Sequence, residues 1–170
     1  MDVWDKKVKV EDNSYFNFNE PIINVKRNNK NKFIHIDLFS GCGGFSCGFE
    51  QSGFTTELAI DIHKPSIETI QMNHINTSTV LGDIRKINPN KITDLISNSE
   101  AKIVITAGVP CQGFSLSNRK RKENDKRNFL FKEFIRISKY LKPDVVVLEN
   151  VSGLVSTGNG FFKKSISQAI

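Results

Sequence analysis

Five short runs of apolar and β-branched residues, each stopped by a glycine turn or an acidic residue, constrain the fold of this chain most. They lie at residues 33–39, 56–61, 78–81, 102–107 and 144–148. Runs such as 102–107 and 144–148, apolar at successive rather than alternate positions, read as strands buried on both faces of a sheet. Helical spacing fills the gaps. A helix opens near Phe45, Pro65 stands at a helix start ahead of Ile67, Ile70 and Met72, and a short amphipathic helix is expected near residues 92–96. Residues 129–141 repeat Leu130, Phe131, Phe134, Ile135, Ile137 and Leu141 at helical spacing until Lys142-Pro143 stops them. Strand and helix in alternation predict an α/β domain with a mostly parallel sheet.

The 170 residues are 38% hydrophobic and 25% charged, enough for one such domain with a sizeable core and too few for two. Residues 1–32 are polar and rich in Asn and Lys, with Trp4, Tyr15, Phe16 and Phe18 interspersed. They read as a partly disordered lead-in, or as a segment that docks on the domain at 33–170. A net charge of +6 makes a polyanion a reasonable partner. Cys42, Cys47 and Cys111 form neither a paired framework nor a zinc spacing, and His35, His63 and His74 are scattered, so a reducing compartment and no metal are expected. No signal-peptide core opens the chain, and no run approaches the roughly 20 apolar residues that span a bilayer. A soluble protein is expected, cytoplasmic or, in a eukaryote, nuclear.

Three stretches carry chemistry. The first is the turn Ser40-Gly41-Cys42-Gly43-Gly44 between a strand and a helix, with Asp61 placed 20 positions after Gly41 at the next strand end. Glycines allow a tight turn and close backbone approach, and an acid there accepts from ribose hydroxyls. Asp83, after the third strand, adds a carboxylate for an adenine amino group, or serves as a helix cap. The second stretch is Gly108-Val109-Pro110-Cys111-Gln112-Gly113-Phe114-Ser115. It presents a thiol just beyond a strand's carboxyl end on a proline-stiffened turn. The run Arg119, Lys120, Arg121 and Lys122 favours its thiolate, although a buried structural cysteine and a merely solvated charged face are the competing views. The third is Glu149 at the end of the fifth strand. Partial burial there would favour its protonated form and make it a proton donor; a hydrogen-bonded structural Glu is the alternative.

Together, Asp37-Leu38-Phe39-Ser40-Gly41-Cys42-Gly43-Gly44, Gly108 through Ser115, and Glu149-Asn150-Val151 resemble the DNA cytosine-5 methyltransferase family, in order and in spacing. The resemblance covers about residues 33–170. It implies a Rossmann-like fold that uses S-adenosylmethionine (SAM), here cut off after the fifth predicted strand. By resemblance, Phe39, Ser40, Gly41, Gly43 and Gly44 lie against SAM, Asp61 holds its ribose, Ile62 packs on the adenine and Asp83 takes the adenine amino group. Ile84, Gly108, Pro110 and Leu130 also fall where the family touches the cofactor. Cys111 is implied as the nucleophile that adds to cytosine carbon 6, with Glu149 supporting protonation at ring nitrogen 3. Gln112, Ser115 and the basic residues 119–122 fall on the DNA side, in what looks like the family's mobile loop, and the target base must leave the duplex stack.

The family pattern continues past the Glu-Asn-Val strand with an arginine segment, a target-recognition region and a closing Asn motif, none of which lies within these 170 residues. The fifth strand is therefore expected at an open sheet edge, and this chain alone is not expected to methylate DNA efficiently. A complementary C-terminal subunit is one expected partner. The competing readings are a non-catalytic SAM- or DNA-binding remnant and an NAD-dependent oxidoreductase; an RNA substrate within the family is a further alternative.

Overall fold

A computed structural model describes residues 10–11, 22–23, 32–96, 100–110 and 130–150. Among these residues seven strands form one sheet: β1 (Val10–Glu11), β2 (Ile22–Ile23), β3 (Phe33–Leu38), β4 (Thr55–Asp61), β5 (Ser78–Leu81), β6 (Lys102–Gly108) and β7 (Val145–Glu149). Their order is β1-β2-β5-β4-β3-β6-β7. The five strands from β3 to β7 pair in parallel, while β2 runs antiparallel to β5 and β1 antiparallel to β2. The chain thus builds outward from β3 through β4 to β5, then crosses back to lay β6 on the other side of β3. The carboxyl ends of β3 and β6 bound the point where direction reverses, which is where open α/β sheets bind ligands.

Among the described residues, four helices connect the strands: α1 (Gly44–Gln51), α2 (Lys64–Asn73), α3 (Pro89–Thr93) and α4 (Phe131–Leu141), with a 3₁₀ turn at Ile84–Lys86. Side chains alternate across the sheet, so Leu58 and Ile60 join one core with Ile36, Ile105, Phe134 and Ile137, while Ala59 joins another with Ile67, Ile70 and Leu81. Cover on both faces leaves β3, β4 and β5 buried along nearly their whole length, with polar as well as apolar side chains inside. Strand β7 differs. It pairs only with β6 among the described residues, and Val145 is 51% exposed, so the expected open edge is present. No helix among the described residues is long and apolar enough to cross a membrane.

Several boundaries move for local reasons. Phe39 leaves the first strand because its backbone turns left-handed, with φ of 57°. The short helix lies at Pro89–Thr93 rather than 92–96, because Asn88 caps it by accepting from the Asn90 N–H and Pro89 suits its first turn. Asp144 sits outside β7 and clamps its start: its carboxylate accepts from the Ile103 N–H and from the Lys102 ammonium. Within the lead-in, β1 and β2 extend the sheet beyond β5, with Ile22 opposite Val80 and Ile23 opposite Thr79.

Candidate cofactor cleft and catalytic edge

The turn after β3 is built by backbone that glycine permits and pinned by hydrogen bonds to the end of β4. Gly41 and Gly43 have φ of 52° and 90°. The Ser40 N–H donates to the Ile60 carbonyl at 3.0 Å, and the Gly41 N–H donates to Asp61 Oδ2 at 2.8 Å. Gly43 has a second constraint. A Cβ there would stand 2.8 Å from His74 Nε2, and that ring is held by a 2.8 Å bond from its Nδ1 to Glu50.

Beneath the turn lies a fully buried polar chain that crosses three strands. Asp37 accepts from Thr106 Oγ1 at 2.9 Å, from Ser46 Oγ at 2.7 Å and from the Ser46 N–H at 3.2 Å. With its proton given to Asp37, Thr106 accepts from His35 Nε2 at 2.9 Å, and His35 Nδ1 accepts from Thr56 Oγ1 at 3.0 Å. The His35 ring stacks on Phe49 at 4.3 Å. Burial pushes Asp37 up to about 6, against the pull of its Ser46 and Thr106 hydrogen bonds. Burial likewise pushes His35 down to about 3, helped by repulsion from His74. The Asp37 carboxylate, set against the N–H of Ser46 in the first turn of α1, occupies from below the pole where a dinucleotide fold would receive a pyrophosphate.

Above the sheet, a cleft of about 440 Å³ opens at the reversal point between β3 and β6. Phe39, Ile60, Ile62, Ile84, Pro110 and Leu130 give it apolar walls; Gly41, Gly82 and Gly108 bring backbone to its surface; Asp61, Asp83 and Arg85 supply charge. Nine of the residues expected at the cofactor therefore meet in one place: Phe39, Gly41, Asp61, Ile62, Asp83, Ile84, Gly108, Pro110 and Leu130. Ser40, Gly43 and Gly44 do not line it. Ser40 is buried with its Oγ on the Ile60 carbonyl, and Gly43 and Gly44 border a separate cavity with Cys42, Cys47 and His74.

The two acids are prepared differently. Asp61 Oδ1 accepts from the His63 N–H at 2.8 Å while Oδ2 accepts from Gly41, which fixes the carboxylate across the mouth of the turn. Asp83 caps the 3₁₀ turn by accepting from the Arg85 N–H at 3.0 Å, so the capping role weighed for it is present. The Arg85 guanidinium also grips it, Nε lying 2.9 Å from both oxygens, and holds Asp83 below the usual carboxylate range. Arg85, Ile60 and Gly82 are the lining residues that sequence reasoning missed. Only Gly82, adjoining Asp83, carried a local signal.

Cys111, Gln112, Ser115, Arg119, Lys120, Arg121 and Lys122 lie outside the described residues. Glu149 is placed by register directly opposite Gly108, at the same sheet edge; Gly108 stands three positions before Cys111 in the sequence. The expected partial burial of Glu149 is not found. It is exposed, because β7 is the last strand in the sheet and has no neighbour on its outer side among the described residues.

A glycine turn and two carboxylates at successive strand ends, around an apolar cleft at the reversal point of a mostly parallel sheet, define a Rossmann-like α/β fold. The family model described as C-5 cytosine-specific DNA methylase matches residues 33–170, and the chain belongs to that family. It is 41% identical over 121 residues to the Type II methyltransferase M.DdeI of Desulfomicrobium norvegicum, an alignment covering 71% of this chain and 28% of that one. It is 35% identical over 136 residues to the Type II methyltransferase M1.HphI of Haemophilus parahaemolyticus, covering 79% and 36%. Among solved structures, a DNA modification methyltransferase encoded within an E. coli prophage superposes with a TM-score of 0.68 at 31% identity, over 81% of this chain and 37% of that one. The chain thus spans between 28% and 37% of the lengths of these relatives.

Proposed function

We propose that the cleft binds SAM and that the protein transfers its methyl group to carbon 5 of cytosine in DNA. The observation that carries this reading is the convergence of Asp61, Asp83 and the apolar residues Phe39, Ile62 and Ile84 on one cleft beside the turn. The donor set fits an adenosyl group: carboxylates suit ribose hydroxyls and an exocyclic amine, and apolar walls suit a purine face. It suits a dinucleotide less well. The Gly41 and Gly43 N–H groups already donate to Asp61 and to the Ser40 carbonyl, and Asp37 holds the α1 terminus.

When bound, SAM would supply an electrophilic methyl group and leave as S-adenosylhomocysteine once its methyl–sulfur bond breaks. The chain's own residues make the cytosine ring able to accept the methyl group. Carbon 5 is a weak nucleophile in the intact ring, so the Cys111 thiolate adds to carbon 6 while Glu149 supports a proton at ring nitrogen 3, leaving an enamine whose carbon 5 takes the methyl group. Loss of the carbon 5 proton to a base and expulsion of the Cys111 sulfur then restore the ring. The exposure of Glu149 at the edge of β7 suits a carboxyl that must meet an incoming base. The outer side of β7, without a partner among the described residues, favours completion by further polypeptide, in the same chain or a complementary subunit, before DNA is bound productively.

Replacing Asp61 by alanine is expected to weaken SAM binding roughly ten- to a hundredfold, the loss of one or two hydrogen bonds to a charged acceptor. Isothermal titration of both proteins with SAM and with NAD checks it. Unchanged SAM affinity in the variant, or preferential binding of NAD by the wild type, removes the reading.

A further inference from the structure

We infer that Arg136 is a positioning residue for the cofactor, because it ties the helix that follows the Cys111 segment to the turn that carries Asp83 and Ile84. This rests on the adenosyl reading of the cleft and adds a residue to it. Arg136 lies on α4, whose Phe131, Phe134 and Ile137 pack into the same core as Ile84 and Ile87. Its Nη1 donates to the Ile87 carbonyl at 2.9 Å and its Nη2 to the Ile84 carbonyl at 3.0 Å, across 49 and 52 positions of sequence. Its Nε donates to Glu133 Oε2 at 2.7 Å, one helical turn back.

The turn's own bonds are all internal to it: Lys86 N–H to the Asp83 carbonyl at 2.8 Å, Ile87 N–H to the Ile84 carbonyl at 3.2 Å and the Asp83 cap on the Arg85 N–H at 3.0 Å, so none of them fixes the turn against α4, and short 3₁₀ turns have poor intrinsic geometry. Apolar packing of α4 is non-directional and leaves sliding and rotation unspecified. A planar guanidinium held by Glu133 and spread over two carbonyls fixes both. Asp83, Ile84 and Arg85 face the cleft from the turn, and Leu130 faces it just ahead of α4. Arg136 does not line the cleft. Acting through backbone, it sets the separation of the Ile84 and Leu130 walls.

The test uses the native full-length polypeptide, with Arg136→Met, Arg136→Lys and, as a control on the exposed side of the same helix, Lys139→Met. Calorimetric SAM affinity and steady-state methyl transfer are measured together with the melting temperature. Arg136→Met is expected to raise both the Kd and the KM for SAM about tenfold while kcat at saturating SAM stays within about twofold. Arg136→Lys, which reaches one carbonyl only, should fall between, and Lys139→Met should match the wild type. A merely structural role lowers the folded fraction, and with it apparent kcat, without moving KM. If Arg136→Met fails to fold, a raised KM in Arg136→Lys supports the inference and an unchanged one overturns it. Wild-type SAM binding with unmoved affinity in Arg136→Met overturns this inference alone; no SAM binding by the wild type removes the cleft reading and the inference with it.

Discussion

Replacing Asp37 by alanine is expected to destabilise the fold by roughly 3–6 kcal/mol, since three buried donors lose their acceptor at about 1–3 kcal/mol each, with some relief from rearrangement. Those donors are Thr106 Oγ1, Ser46 Oγ and the Ser46 N–H, and Asp37, Thr106 and Ser46 are all fully buried. A loss of that size is a large part of the 5–15 kcal/mol that holds a typical domain together. Urea unfolding of wild type and variant measures it; a loss below about 1 kcal/mol would show that the chain from Thr56 to Ser46 is not held as described.

The same chain predicts an unusual response to pH. Asp37 is raised to about 6, so the native state keeps a proton that the unfolded chain releases near 3.8, and this contribution to stability is lost as pH rises through 6. His35 is lowered to about 3, so its contribution is present above 6.5 and is lost as pH falls toward 3. Between about pH 6 and 4 the two oppose each other and largely cancel. Asp37→Asn removes one side of the balance. Its stability should then fall on acidification through that window by about 1.4 kcal/mol per pH unit, while the wild type stays nearly flat. Urea midpoints at three pH values decide it, and parallel profiles for the two proteins would contradict the assignment.

The second large effect concerns the thiol. Cys111→Ser is expected to reduce methyl transfer by at least about 10⁴-fold, because a serine hydroxyl is scarcely ionised at neutral pH and removal of a nucleophile collapses the whole covalent route. SAM binding should persist, since the cofactor's contacts are assigned to Asp61, Asp83 and the apolar walls. Single-turnover kinetics and SAM titration of the same preparation separate the two. Transfer within about tenfold of wild type would exclude Cys111 as the nucleophile.

What the chain displayed in advance was local. The runs at 102–107 and 144–148 could be read as strands because β-branched residues crowd them, and the acids at 61 and 83 stood out because each lies at the end of a predicted strand. Distance along the chain hid the rest. Arg136 finds the Ile84 and Ile87 carbonyls about 50 positions away, and His35, Thr106 and Asp37 form a chain only when β6 lies beside β3. Glu149 was expected to be partly buried from the apolar run before it, but burial at a strand end depends on a neighbouring strand, and β7 has one on a single side among the described residues. The resemblance places Ser40, Gly43 and Gly44 against the cofactor as part of its turn, but what else they touch is not written locally: Ser40 Oγ reaches the Ile60 carbonyl and Gly43 makes room for His74. The two-residue strands β1 and β2 have no pattern of their own and take their register from β5.

The most direct test of the central claim is to incubate the native full-length protein with methyl-labelled SAM and cytosine-containing duplex DNA, digest the product and identify the labelled nucleoside. Label is expected in 5-methyl-2′-deoxycytidine, and none when Cys111 is replaced by serine. Label on an exocyclic nitrogen of cytosine or adenine, or transfer to RNA with none to DNA, would contradict it.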